Sequence, residues 1–163
     1  MADMNDAFVN GLSALYNTEK LIMEGMPKMM GGVQNPQTKQ VMEQHTQETQ
    51  QQAKRLEQIF SQMGQTPNDI QPEGIVGILK ENENIQSQGY DAATLEASVI
   101  AAAQRVEHYE IAGYGALSTW AKHLGHQDVA ALLDQSLQEE KDADQKLTQA
   151  AEAGANPQAA QAA

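Results

Sequence analysis

The chain has 163 residues, no cysteine, and a formal net charge of −12 from 22 acidic and 10 basic residues. A single domain of this size buries a sizeable core without staples. The missing thiols exclude disulfides, thiolate zinc, iron–sulfur clusters and thiol catalysis, so any metal must be held by His, Asp and Glu. The acidic balance disfavours nucleic acid, whose binders neutralise phosphates with clustered Lys and Arg.

Ala, Gln, Glu, Leu and Met dominate while β-branched and aromatic residues are sparse, a composition that predicts an all-α protein. The opening "MADMNDAFVNGLSALY" has no positive region followed by an apolar run, and no stretch approaches the ~18 apolar residues of a membrane span. A cytoplasmic protein with no membrane partner is the expectation. A first helix is predicted over about residues 3–30, closed by Gly31-Gly32, with Pro27 as a kink or early stop. Asn35-Pro36 then reads as an N-cap followed by proline at the first helical position, opening a second helix that runs to Gly64.

"GQTPNDIQPEG" reads as loop, and residues 73–87 as a short extra helix. A third long helix is predicted over 92–124, stopped by Gly125, and a fourth over 127–153. Residues 154–163, "GANPQAAQAA", offer too little apolar surface to order themselves and are expected as a disordered tail behind a 1–153 domain. Helices ~40 Å long suit an antiparallel four-helix bundle. Short loops inside each pair and a long crossover between the pairs give the ferritin-like connectivity.

Each long helix breaks its predicted interior stripe with acid near the middle. The first carries Leu12, Leu15, Glu19, Ile22 and Met26; the second Val41, His45, Glu48, Gln52 and Leu56. The third carries Ile100, Ala103, Glu107, Glu110, Tyr114 and Leu117; the fourth Leu133, Leu137, Glu140, Asp144 and Leu147. Antiparallel packing would bring Glu19, His45, Glu48, Glu107, Glu110, Glu140 and Asp144 to one height. Uncompensated carboxylates there would repel and cost several kcal/mol each. Two metal ions would compensate them, and hard carboxylate oxygens suit iron or manganese. His108, His123 and His126 are expected at the surface, Trp120 in the core, and Gly113 and Gly115 where helices approach closely. Neither a Walker loop nor a dinucleotide fingerprint nor a nucleophile elbow is present.

The strings "AAAQRVEHYEIAGYGAL" and "LQEEKDADQKLT", with "LYNTEK" and "QHTQETQQQAKRLEQIF", resemble the YciF/YciE family of ferritin-like stress proteins over about residues 8–151. That resemblance implies a ferritin-like bundle, a homodimer, a carboxylate-bridged di-metal centre and a stress-related role. It matches Glu19 and Glu48 to the glutamates of the first two helices, Glu107 and Glu110 to the paired glutamates of rubrerythrin-type third helices, and Glu140 to that of the fourth. The general pattern has two Glu-x-x-His motifs, but Gln51 and Ala143 stand at the histidine positions, with His45 and Asp144 as the expected replacements.

The expected function is a di-iron or di-manganese protein that reacts with dioxygen or peroxide. Its metal centre is then the reactive group, and Tyr114 a hydrogen-bond donor behind the ligands. The alternatives are a non-enzymatic iron-binding or storage protein and a purely structural bundle.

Overall fold

Capping chemistry sets the helix boundaries. In α1 (Met4–Met29) the Asp3 carboxylate accepts from the Asn5 and Asp6 amides, and Asp6 returns a bond to the Asp3 amide. Asn35 caps α2 (Pro36–Gln62) with Pro36 at its first position, and Asp91 caps α4 (Ala92–His123). Gly64 and Gly125, just past the ends of α2 and α4, take positive φ of 62° and 84°, which a glycine adopts without strain. Pro27 lies in the last turn of α1, where the helix has only two residues left to run, and does not end it early.

The computed structural model describes residues 1–162 and contains no strand among them. Helices α1 and α2 form one hairpin; α4 and α5 (Gln127–Ala150) form the other. The pairs close into a bundle through α1 against α4 and α2 against α5, with α3 (Glu73–Gln86) in the crossover lying on α1 and α4. This is the antiparallel four-helix arrangement, with a short extra helix, that the sequence predicts. No helix among the described residues is long and apolar enough to cross a membrane.

Glycines permit the close approach of α1 and α4. A Cβ at Gly113 would meet Leu15 Cδ2 at 2.8 Å, and one at Gly11 would meet Leu117 Cδ2 at 2.6 Å. Each leucine packs into the space left on the opposite helix. Trp120, expected in the core, is only half-buried at the edge of that seam. Glu96 of α4 accepts from the Asn35 amide and the Thr38 hydroxyl, tying α4 to the start of α2.

The chain does not fray at Gly154. A π-helical turn (Ala151–Ala155) leads into α6 (Asn156–Ala162), with Ala151 and Ala155 buried in the apolar cluster built around Ile22, Met29 and Ile100. The tail orders because it continues a helix already held in place, so it requires little apolar surface of its own; residue 163 lies outside the described residues.

The apolar core is divided in two. One cluster gathers Ile22, Met26, Met42, Ile100, Val106 and Leu147; the other gathers Phe8, Leu15, Leu56, Tyr114, Leu117 and Leu133. Between them every long helix contributes buried polar side chains: Thr18 and Glu19, then His45, Thr49 and Gln52, then Glu107 and Glu110, then Ser136 and Glu140.

Candidate metal centre

Helix periodicity decides which acids enter this polar layer. On α2 the inward positions are Met42, His45, Thr49, Gln52 and Leu56. Gln52 lies about 20° around the helix from His45, whereas Glu48 lies about 60° away on the side opposite Thr49. Glu48 therefore sits at the bundle's flank, accepting from Gln44 Nε2 at 2.7 Å and standing 3.8 Å from Lys146 Nζ. Gln51 is exposed.

On α5 the inward residues are Leu133, Ser136, Glu140, Ala143 and Leu147, so the buried place beside Glu140 belongs to Ala143. Asp144 faces the rim, where it accepts from Gln104 Nε2 at 3.1 Å and lies 3.4 Å from Nε2 of the exposed His108. The predicted stripes share His45, Gln52, Leu56, Leu133, Glu140 and Leu147 with the buried faces but miss by one residue where Thr49 and Ala143 are buried instead. Glu48 and Asp144 do not join the group.

Glu19, His45, Glu107, Glu110 and Glu140 do come together, none more than 3% exposed. One ligand atom from each of His45, Glu107, Glu110 and Glu140 can be chosen so that all lie within 4.8 Å of one another. His45 reaches in from α2 with Nδ1 3.5 Å from Glu107 Oε2, beside a small cavity whose walls include Ala103 and Ala143. The Thr49 hydroxyl donates to the His45 carbonyl at 3.0 Å and lies 3.4 Å from its Nε2. Glu19 joins from α1, where the Tyr114 hydroxyl donates to its Oε1.

Crowding acids in a dry layer holds protons on them. Burial, then the neighbouring Glu140 charge, pushes the Glu19 carboxyl up to about 8, against the opposing hydrogen bond from Tyr114. Burial first and Glu140 second hold both Glu107 and Glu110 well above the usual carboxylate range. The Tyr114 phenol is raised by burial and then by Glu19 and Glu110.

Nine buried side-chain oxygen or nitrogen atoms lack a hydrogen-bond partner among the described residues, and seven belong to Gln52 and the five residues that come together here. They are Glu19 Oε2, His45 Nδ1, Gln52 Oε1, Glu107 Oε2, both oxygens of Glu110, and Glu140 Oε2. Buried polar atoms are ordinarily satisfied, so a group of this size in one place fits a cation that is itself the missing partner. The donor set is one imidazole nitrogen among hard oxygens, which suits iron or manganese.

Gln52 was legible as an interruption of the second stripe, but an amide gives no charge signal and was not read as part of the site. Its Nε2 donates to Glu140 Oε1 and, at 3.2 Å, to Glu139 Oε2. Glu139 is in turn gripped by Arg55.

The family model described as "Domain of unknown function (DUF892)" matches residues 3–160. The chain belongs to this family. Protein YciF of Escherichia coli (strain K12) is 37% identical over 150 residues, covering 91% of this chain and 90% of its own. The solved structure of the E. coli stress protein YciF superposes with a TM-score of 0.89 at 34% identity, covering 93% of this chain and 96% of that one. YcfI of Rhodopseudomonas palustris, provisionally assigned a structural role, superposes at 0.87 with 39% identity, covering 90% and 94%.

Proposed function

We propose that the chain is a di-metal carboxylate protein, binding two iron ions, with manganese as the alternative, and reacting with dioxygen or peroxide in a stress-related role. The observation that carries this reading is the group of seven unpartnered donor atoms in one buried layer. Charge supports a pair of ions. Glu19, Glu107, Glu110 and Glu140, once deprotonated, carry four negative charges, which two divalent cations cancel without Glu48 or Asp144.

Glu19, His45, Glu107, Glu110 and Glu140 would hold the ions through these unpartnered atoms. Bound iron would supply the electrons for reduction of the oxidant. The Tyr114 hydroxyl fixes Glu19 and holds a proton at its oxygen. The two apolar clusters above and below the layer keep water from the donors. Family membership alone does not favour this reading over the structural role assigned to YcfI; the unpartnered carboxylates support it, because a purely structural core would be better served by leucine. The homodimer is part of the proposal, supported by the shallow apolar groove between α1 and α4 lined by Ala7, Gly11, Ala112, Ala116 and Trp120.

Stopped-flow oxidation of ferrous iron by peroxide or dioxygen tests the reading. The wild type and Glu48→Ala are expected to oxidise two irons per chain faster than free iron. A Glu107→Ala, Glu110→Ala double variant is expected to match free iron. Equal rates for the wild type and the double variant would overturn the proposal.

A further inference from the structure

We infer that Arg55 and Glu139 are positioning residues of the centre, acting through Gln52 on Glu140; the inference rests on the metal-binding reading above. Gln52 and Arg55 are one turn apart on α2, facing Ser136 and Glu139, one turn apart on α5. The Arg55 guanidinium forks onto Glu139, with Nη1 to Oε2 and Nη2 to Oε1 both at 2.9 Å, and Nη1 also donates to Ser136 Oγ at 2.7 Å. Its side chain is only 11% exposed and that of Glu139 25%. A bidentate guanidinium–carboxylate pair has one geometry, unlike a lysine contact. Glu139 is thereby held as a fixed acceptor next in sequence to Glu140.

The Gln52 amide, with no exposure to solvent, spends one hydrogen on Glu139 and the other on Glu140 Oε1. Glu140 is thus oriented with Oε2 left free. Gln52 Oε1 is also unpartnered. An amide does this without adding a fifth negative charge to the four glutamates. A glutamate at position 52 could not donate to Glu140 when ionised, and a methionine could not donate at all. The fork is neutral overall, although the Arg55 charge also reaches Glu19 and opposes the rise that burial causes there.

Cobalt(II) titration, followed by visible absorption, separates these contributions. The double variant Arg55→Met, Glu139→Met removes the fork and leaves net charge unchanged. It is expected to bind cobalt about tenfold more weakly, in the range for loss of groups behind metal ligands, and with an altered visible spectrum. Arg55→Lys, which keeps the charge and loses the fork, is expected to fall between this variant and the wild type, and it decides the matter if the double variant does not fold. Wild-type affinity and spectrum in the variants, or weakened binding with an unchanged spectrum, would overturn the inference. A wild-type chain that binds no cobalt, iron or manganese would instead overturn the metal-binding reading.

Discussion

Metal-free protein is expected to lose thermal stability as the pH rises from about 5 to about 8, and saturating manganese or ferrous iron to remove that loss. The sign follows from the buried acids. Glu19 titrates at about 8 in the folded chain against an ordinary value of 4.5, and Glu107 and Glu110 are raised as well. Between the unfolded and folded values the native state holds protons that the unfolded state has released. Stability from these groups is therefore fully present below the unfolded value and is lost as pH climbs through the folded one. The carboxylates with lowered values, Asp3, Glu83, Asp91 and Asp134, act in the opposite sense and only at more acid pH.

Bound cations replace the protons, so metal affinity rises with pH and the gap between metal-loaded and metal-free unfolding temperatures widens toward pH 8. Scanning calorimetry in chelator and in manganese, at three pH values, measures both. A metal-free unfolding temperature that is flat or rising across the window would contradict the account.

Glu110→Leu is expected to make the metal-free protein more stable while abolishing metal binding. Glu110 is completely buried, its oxygens meet no partner other than the neighbouring Glu19 carboxyl, and leucine fills a similar volume. Replacing buried ionisable groups by well-packed apolar residues is often stabilising by about 1–4 kcal/mol. The gain should be larger at pH 8 than at pH 5, because at pH 5 the wild-type carboxyl is already neutral. Urea unfolding in chelator and cobalt binding by absorption give the two readouts. A destabilised variant would mean that Glu110 serves the packing of the core, as a structural bundle requires. A stabilised variant that binds no metal identifies a residue kept for its chemistry at the expense of the fold.

The bundle was legible because its signals are local. Asn35-Pro36, Gly64 and Gly125 mark helix ends by backbone chemistry that tertiary contacts do not alter. Glu19 was legible because Leu15 and Ile22 fix its stripe on both sides, and Glu107, Glu110 and Glu140 because Ile100, Tyr114, Leu133 and Leu147 fix theirs at longer range. Glu48 and Asp144 were misplaced where that phase is weakly marked. Around Glu48 the second helix is nearly all polar, so a shift of one residue, which puts Thr49 inside, leaves no trace in hydrophobicity. Around Asp144 the inward residue is Ala143, too small to set the stripe.

Gln52, Arg55 and Glu139 form a link between α2 and α5 that spans more than 80 residues of sequence. Such a link emerges only once the two helices are side by side. The tail was misjudged on its own composition, when its order is inherited from α5.

Anomalous diffraction at the iron and manganese edges, from crystals of protein purified without chelator, tests the central claim most directly. Two peaks per chain are expected inside the layer bounded by Glu19, His45, Glu107, Glu110 and Glu140, and none beside Glu48 or Asp144. An empty layer, or a metal held at Glu48 or Asp144 instead, would contradict it.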